Sequence, residues 1–345
     1  MVFLQGFFSA KYKKDRDKRP KPTELVYKQV KDLGTRLYKI FKKGWMSMEF
    51  ATFKKKLLDQ LRQILGEEKR IHFQSVEKNN GIQEEAVVIL GEKERIAPTI
   101  YLRGFFEDWN SGRKSIEEIS REILLHNACQ EREVDFSLDS FENYEKARGQ
   151  VYFKLINYEM NKVMLTKIPY VAYLDLAVVF YYRLEKGNFQ GATMLIHNCN
   201  LDAWKIDSRQ LLEDAVMNTS RKLPYSFQGM DALIRELSGV SDDDDTEFYT
   251  GEEIMYVLSN QEKCFGAAAL LYPHLLSHIS KIFRKNFYVL PSSVHECILV
   301  PDQGQYSRME LTRMVREVNQ TQVEDDEILS DQVYYYDRQE ERLMM

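Results

Sequence analysis

The stretch NFYVLPSSVHECILVPD, residues Asn286–Asp302, decides the fold class. Two apolar runs flank Pro291-Ser292-Ser293, and proline and serine are residues that favour tight turns. Two extended segments joined by so short a turn predict an antiparallel hairpin. Because strands joined by short turns pair antiparallel, this stretch indicates an α+β protein and argues against a doubly wound parallel sheet.

The segments on both sides continue this pattern. EFATFKKKLLDQLRQILG, residues 49–66, carries apolar residues at helical spacing and ends in glycine. RIHFQSVE, EEAVVIL and APTIYLRGFF then predict an antiparallel meander. Three helix starts are marked by a capping residue followed three positions later by a residue that closes the cap, at Ser115 and Glu118, Asp207 and Gln210, and Ser307 and Glu310.

These blocks predict antiparallel sheets with packed helices, arranged as two units. The expected parts are a basic N-terminal extension over 1–47, an N-terminal α+β unit over 48–133, a helical connector over 134–168, and a C-terminal α+β unit over 169–345 with an acidic loop at 241–253. Four consecutive aspartates in that loop lack the alternating ligands and central glycine of a calcium loop, so we expect a solvated loop.

Residues 1–45 differ in charge from the rest of the chain. They contain 13 Lys and Arg against 4 Asp and Glu, whereas the remainder contains 35 against 49. The tetrapeptide Lys42-Lys43-Gly44-Trp45 must be encoded by a purine-rich stretch like a bacterial ribosome-binding site, and Met46 and Met48 follow it. We therefore expect the extension to be a translated upstream region. If it is native, it is a candidate for binding nucleic acid or anionic lipid.

The composition predicts a cytoplasmic protein. No run of residues reaches the roughly 20 apolar residues of a membrane-spanning helix, so we expect no membrane partner. The four cysteines lie far apart without Cys-x-x-Cys spacing, so we expect reduced thiols and no disulfide framework.

Ser293 and His295 are the candidate catalytic residues. They lie two positions apart and can share one face of a strand over Val294–Val300, as a nucleophile and its base. Glu296 faces the other side, so another segment must supply any carboxylate that orients His295. A purely structural hairpin competes with this hypothesis, since Pro291-Ser292-Ser293 is also ordinary turn chemistry.

Histidine and cysteine cluster in three places, and both residues ligate zinc. Residues i and i+2 of a strand, or i and i+3 of a helix, point to one side. Zinc is therefore the one cofactor we consider, against a default of no cofactor in which each cysteine is a small core residue. The candidate ligands are His126 and Cys129, His197 and Cys199, and His295 and Cys297.

Several phrases in order along the chain carry a family resemblance. NYEMNKVMLTKIPYVAYLDLAVVFYYRLE, MYVLSNQEKCFGAAALLYPHLL, NFYVLPSSVHECILVPDQGQ and MVREVNQTQVEDDEILSDQVYYYDR resemble an uncharacterised family, a domain of unknown function abundant in gut Clostridia. The resemblance covers about Met48 to Asp337. It implies a clostridial cytoplasm but no activity.

The function therefore rests on what the residues show. Phosphate-binding loops of the G-x-x-x-x-G-K-[ST] and G-x-G-x-x-G types, H-E-x-x-H and G-x-S-x-G are all missing from the sequence. This favours a non-enzymatic binding or regulatory protein with a protein partner. The alternative is a small hydrolase or zinc-dependent enzyme that uses Ser293 and His295 or the histidine and cysteine pairs.

Overall fold

The structure is a computed structural model that describes residues 48–91, 97–128, 141–185, 191–230, 232–233 and 255–345. These residues form two compact units: a smaller one of residues 48–77, 83–91 and 97–128, and a larger one with the rest. The basic extension 1–47, the acidic loop 241–253 and Cys129 lie outside the described residues, and the predictions made for them stay predictions.

The smaller unit is a three-stranded sheet with helices packed on it. Helix α1 spans 48–65, and Gly66 ends it with a φ of +68°. The strands β1 (Arg70–Glu77), β2 (Gln83–Leu90) and β3 (Ile100–Tyr101) are all antiparallel, in the order β1-β2-β3. Helices α2 (Arg103–Asn110) and α3 (Ile116–Ala128) follow.

The last strand of the meander is shorter than the sequence predicts. Only Ile100 and Tyr101 of APTIYLRGFF are extended, and the chain then turns into α2. Helical geometry lets Phe106 pack edge-on against Phe53 of α1, with the ring centroids 5.7 Å apart. Tertiary packing of aromatic rings therefore outweighs the local strand preference.

The larger unit contains two sheets. The first is antiparallel and consists of β4 (Val151–Asn157), β5 (Tyr170–Tyr173), β6 (Leu176–Arg183) and β7 (Thr193–Leu195), with the order β4-β6-β5 and β7 also paired to β6. The helical connector predicted over 134–168 is wrong at β4. Five of its seven residues are apolar or aromatic, the exceptions being Lys154 and Asn157, and they suit a strand covered on both faces.

The second sheet confirms the hairpin that opened the sequence analysis. Its strands are β8 (Tyr225–Gly229), β9 (Tyr256–Asn260), β10 (Phe287–Leu290), β11 (Cys297–Pro301), β12 (Tyr334–Asp337) and β13 (Arg342–Met344). They are antiparallel in the order β13-β12-β10-β11-β9-β8, with Phe287 opposite Pro301 and Leu290 opposite Ile298. The strand predicted from Val294 begins only at Cys297, and β12 is not an edge strand, because it pairs with β13.

The helices of the larger unit begin where the capping pairs predict. The side chain of Asp207 accepts from the backbone of Gln210, and Ser307 and Glu310 form a complete capping box. The helices are α4 (Tyr144–Ala147), α5 (Lys162–Leu165), α6 (Asn198–Trp204), α7 (Ser208–Lys222), α8 (Leu275–Phe283) and α9 (Arg308–Thr321). A 3₁₀ helix spans Gly266–Leu271, which the sequence predicts as the start of one long α-helix.

No helix among the described residues is both long enough and apolar enough to cross a bilayer.

Asp175, in the turn between β5 and β6, ties the two sheets of the larger unit together. Its carboxylate accepts a 2.6 Å hydrogen bond from Ser330 and a second, short one from the hydroxyl of Tyr334 on β12. Both donors are fully buried. A buried carboxylate contact of this kind is a charge-assisted hydrogen bond, stronger than a neutral one.

Gly266 occupies a position where no side chain fits. A Cβ built there would lie 2.1 Å from the Ser259 hydroxyl, 2.5 Å from the His295 carbonyl oxygen and 2.7 Å from the Asn260 nitrogen. Two of these neighbours are backbone atoms and cannot rotate away. The 3₁₀ helix therefore lies directly against β9 and against the segment before β11.

Replacing Gly266 by alanine should destabilise the protein by about 3 kcal/mol, the upper range for overpacking of a core. The measurement is urea-induced unfolding followed by circular dichroism. Gly149→Ala in the same unit is the matched control, because nothing lies within 4 Å of its Cβ position, and its effect should be small. Equal stability of the two variants would contradict the close approach at Gly266.

Candidate functional site

Cys264 lies on a turn that connects β9 to the 3₁₀ helix. Asn260, fully buried at the end of β9, closes this turn: its amide donates to the Cys264 carbonyl at 2.8 Å and accepts from the Cys264 N–H at 3.3 Å. Lys263 and Phe265 on either side adopt left-handed backbone, with φ of +54° and +52°. This conformation costs a non-glycine residue about 1–2 kcal/mol. The turn is therefore held in a strained backbone conformation, and the Cys264 side chain on it is exposed.

His295 is held from both sides by backbone hydrogen bonds. On one side, Val294 donates to the carbonyl of Glu327 at 2.9 Å. On the other, the carbonyl of Val294 accepts from Ala267 at 3.2 Å and that of His295 accepts from the Ser259 hydroxyl at 2.7 Å. The segment therefore lies between the Gly266 turn and the loop that carries Glu327, and the backbone that carries the imidazole is held in place.

The imidazole of His295 lies beside a carboxylate and the cysteine turn. Its Nε2 is 3.2 Å from Oε1 of Glu327, and the side chain of Cys264 interacts electrostatically with the ring. Burial alone lowers the pKa of an imidazole, but the contacts with Cys264 and Glu327 outweigh it and raise the pKa of His295 to about 9. The bond to His295 in turn lowers the pKa of Glu327. We call Cys264, His295 and Glu327 the thiol–imidazole cluster.

A hydrogen bond from a backbone amide depends on the protonation state of His295. The N–H of Phe265 donates to Nδ1 at 3.2 Å, which requires an unprotonated Nδ1. In this neutral form Nε2–H donates to Glu327. Uptake of a proton at Nδ1 breaks the Phe265 bond, so this amide opposes the protonation of His295 that Glu327 favours.

Aromatic and cationic side chains enclose the thiol–imidazole cluster. Phe265 stacks on the His295 ring at 5.8 Å and contacts Tyr181 edge-on at 5.5 Å. The ammonium of Lys154 lies 4.3 Å from the centre of the Phe265 ring and interacts electrostatically with Cys264. Arg183 binds Glu262, two residues before Cys264, through two contacts of 2.9 and 2.7 Å. The cysteine turn is thereby anchored to β6.

Ser293 is not the partner of the His295 imidazole. Its hydroxyl is buried and accepts a 3.1 Å hydrogen bond from the backbone N–H of His295, which makes it a turn residue. Glu296 is also buried, and burial raises its pKa. The carboxylate at His295 does come from another segment, as the strand alternation predicts, and it belongs to Glu327.

The histidine and cysteine pairs do not assemble a metal centre in the described part of the chain. No group of three histidine, cysteine or acidic side chains there has the geometry for a metal ion. His126 contacts Phe105, the backbone of His197 bonds Asn200 at the start of α6, Cys199 is exposed and Cys297 is buried. Cys297 is a core residue, and burial raises the pKa of its thiol well above the usual value.

The sequence reasoning missed both Cys264 and Glu327. Cys264 is the one cysteine without a histidine within three residues, so a search for neighbours along the chain overlooked it. A usable signal was present in Asn260-Gln261-Glu262-Lys263-Cys264-Phe265-Gly266. A buried amide at the end of a strand, an exposed cysteine and a glycine two residues later describe a tight turn that presents a thiol.

Replacing Glu327 by glutamine should lower the pKa of His295 from about 9 towards the ordinary value, because the carboxylate no longer stabilises the imidazolium. A raised folded pKa stabilises the protein fully below the unfolded value and ceases to do so as pH rises through about 9. The variant should therefore be less stable than wild type at pH 6 and nearly equal at pH 10. NMR titration of the His295 ring and urea unfolding at both pH values measure this.

Glu324→Gln is the matched control, since Glu324 is an exposed carboxylate in the same loop. The interpretation is wrong if His295 titrates at the same pH in Glu327→Gln as in wild type.

The comparisons with known proteins give a family and nothing further. Residues 50–338 match the profile of a family of unknown function (DUF5688), in agreement with the resemblance read from the sequence. No curated protein and no solved structure matches significantly. The match spans most of the chain, including β1 and β12 and every residue of the thiol–imidazole cluster. The chain therefore belongs to this family of unknown function.

Proposed function

We propose that the protein is a thiol-dependent hydrolase of acyl compounds, with Cys264 as nucleophile, His295 as base and Glu327 as the residue that positions His295. The observation that carries the proposal is one imidazole that lies 3.2 Å from a carboxylate and is hydrogen-bonded to the residue directly after an exposed cysteine. Nucleophile, base and orienting group within hydrogen-bond reach are the general pattern of covalent catalysis. This proposal revises the hydrolase hypothesis drawn from the sequence, in which Ser293 is the nucleophile.

The chemistry follows from these three groups. The sulfur of Cys264 attacks the carbonyl carbon of an ester or amide, and the thiol proton passes to the unprotonated Nδ1 of neutral His295, which releases its hydrogen bond to the Phe265 N–H. His295 then gives this proton to the departing alcohol or amine, which leaves an acyl group on the sulfur as a thioester. Water, deprotonated by His295, attacks the thioester and releases a carboxylic acid and the free thiol.

The cellular setting is the second part of the proposal. The phrases that resemble a family abundant in gut Clostridia support the cytoplasm of such an organism. A reducing cytoplasm keeps thiols free. An exposed cysteine such as Cys264 remains available there as a nucleophile.

A non-enzymatic binding protein is the second candidate function, and the face of α9 favours it. Arg308, Met309, Thr312, Arg313 and Arg316 line a cavity of about 510 Å³, and Met309 is 72% exposed. Exposed arginine and methionine are typical of protein interfaces. Recovery of a specific partner with wild type but not with Arg313→Glu would support this function.

Replacing Cys264 by alanine should reduce the hydrolysis of p-nitrophenyl acetate by at least about 10²-fold, because the covalent route is lost. His295→Gln should lose about 10²–10⁴-fold, the usual contribution of a general base. Both rates are measured by release of nitrophenolate. Intact mass spectrometry after rapid quenching should show an acetyl group on wild type, located on the peptide that contains Cys264.

Cys199→Ala is the matched control, since Cys199 is also an exposed thiol of the larger unit. It should hydrolyse the ester at the wild-type rate. Equal hydrolysis by Cys264→Ala and wild type, without acetylated Cys264, would disprove the proposed function and leave the binding protein as the better candidate.

A further inference from the structure

A short 3₁₀ turn, Asn79–Gly81, belongs to the larger unit, and we call it the asparagine turn. Asn80 adopts a left-handed backbone with a φ of +60°, and Gly81 follows with a φ of +70°. Asparagine is among the residues that tolerate this conformation best after glycine, because its short side chain can hydrogen-bond locally. Only 9% of Asn80 is exposed. Its polar side chain therefore needs partners inside the protein.

The side chain of Asn80 is fully hydrogen-bonded. Its Oδ1 accepts from Nδ2 of Asn161 at 2.8 Å, and Oδ1 of Asn161 accepts from the Asn80 N–H at 2.7 Å. Nδ2 of Asn80 donates to the carbonyl of Asp325 at 2.8 Å and to that of Ile328 at 2.7 Å. Both hydrogens of the amide are thus used. The reciprocal pair with Asn161 sets the orientation of the amide, so that its donor end faces residues 325–328.

Residues 325–328 form the loop that carries Glu327. The carbonyl of Asp326 accepts a 2.8 Å hydrogen bond from Nδ2 of Asn79, so three of the four carbonyls in this loop bond the asparagine turn. The fourth, that of Glu327 itself, accepts from the Val294 N–H at 2.9 Å. The loop is therefore held on one side by the asparagine turn and on the other by the segment that carries His295.

These hydrogen bonds restrict the direction of the Glu327 side chain. A residue has two soft dihedral angles, φ and ψ, because the peptide planes on either side of it are rigid. Asn79 holds the plane before Glu327 through the Asp326 carbonyl, and Val294 holds the plane after it. With both planes held, the Cα–Cβ bond of Glu327 has a defined direction, and Oε1 lies 3.2 Å from Nε2 of His295.

We infer that Asn80, together with Asn79, is a positioning residue that orients the Glu327 carboxylate towards His295. This inference rests on the proposed roles of His295 as base and Glu327 as the group that orients it. A reactive group keeps its geometry when the residues that support it are themselves locked by hydrogen bonds. Asn80 holds the two ends of the loop, and Asn79 holds its middle.

Both asparagines are neutral, so the pKa of His295 reports on the position of Glu327. Loss of either amide removes no charge and can change this pKa only by moving charged groups. The other ionisable groups around His295 and Glu327 in the described part of the chain are left in place by the test. They are Cys264, Glu296, Lys263, Lys78 and Asp326, whose carboxylate lies 3.4 Å from Nζ of Lys78.

The test is an NMR titration of the His295 ring in Asn80→Gly, which accepts the left-handed backbone but lacks the amide. The pKa of His295 should fall from about 9, because the carboxylate no longer lies beside the imidazolium. We expect the affinity of the ring for its proton to drop about 10-fold, which is one pH unit. Asn79→Ala should shift the pKa in the same direction.

Asn218→Ala is the matched control. Asn218 is also 9% exposed, and its amide donates to two backbone carbonyls of the larger unit, those of Arg148 at 2.7 Å and Val151 at 2.9 Å. Its loss should lower the stability measured by urea unfolding, since two buried carbonyls lose their donor. The His295 ring should nevertheless titrate near pH 9, as in wild type.

A double-mutant cycle separates an action through Glu327 from any other effect. In Glu327→Gln, the addition of Asn80→Gly should leave the pKa of His295 unchanged, because no carboxylate is left to position. The inference is overturned if Asn80→Gly and Asn79→Ala titrate like wild type, or if Asn80→Gly lowers the pKa equally with and without Glu327. An equal fall in Asn218→Ala also overturns it, since that result indicates general loosening. Circular dichroism identifies a variant that does not fold, and the other asparagine variant then decides.

The outcome is separate from that of the ester assay, because the titration needs no acyl substrate. If Cys264→Ala loses ester hydrolysis but the asparagine variants leave the pKa of His295 unchanged, the proposed function stands and this inference fails. If Cys264→Ala hydrolyses the ester normally, the proposed function fails, whatever the titrations give.

Discussion

The close approach of Gly266 to its neighbours is the constraint on which the candidate site depends. Ser259, Asn260 and the carbonyl of His295 occupy the space that a Cβ would need. Because the 3₁₀ helix lies so near, Ser259 can bond the His295 carbonyl and Ala267 can bond that of Val294. A larger residue at Gly266 would push the cysteine turn away from the histidine, and the two reactive groups would no longer meet.

The fold class could be predicted from the sequence because turns and helix caps are formed by residues only a few positions apart. Turn residues at Pro291-Ser292-Ser293 and the capping pairs at Asp207 and Ser307 act within a few positions, so their partners are visible in the sequence. β4 was missed since its residues, such as Tyr152 and Phe153, acquire their burial from β6 and from the helices that cover the sheet. Burial on both faces leaves no alternation to detect.

The candidate site was harder to foresee, because its members are distant in sequence. Cys264, His295 and Glu327 come from three separate segments. Ser293 was the predicted nucleophile because it is close to His295 along the chain. In the structure its hydroxyl instead accepts a hydrogen bond from the backbone N–H of His295. His295 itself was identified correctly as the residue of interest, and so was the need for a carboxylate from elsewhere. Only the packing of β9, the 3₁₀ helix and the loop after α9 identifies which cysteine and which carboxylate lie beside it.

Asp175 has a consequence for how the larger unit opens. Its carboxylate lies in the turn of one sheet, while Ser330 and Tyr334 belong to the segment that leads into and forms a strand of the other. Separation of the sheets would break both hydrogen bonds to this carboxylate, each worth about 1.5–3 kcal/mol because the acceptor is charged. Neither sheet is therefore expected to unfold locally without the other, and the amide protons of both should exchange with solvent as one cooperative unit. The thiol–imidazole cluster, built on turns and a loop of the second sheet, shares the stability of that unit.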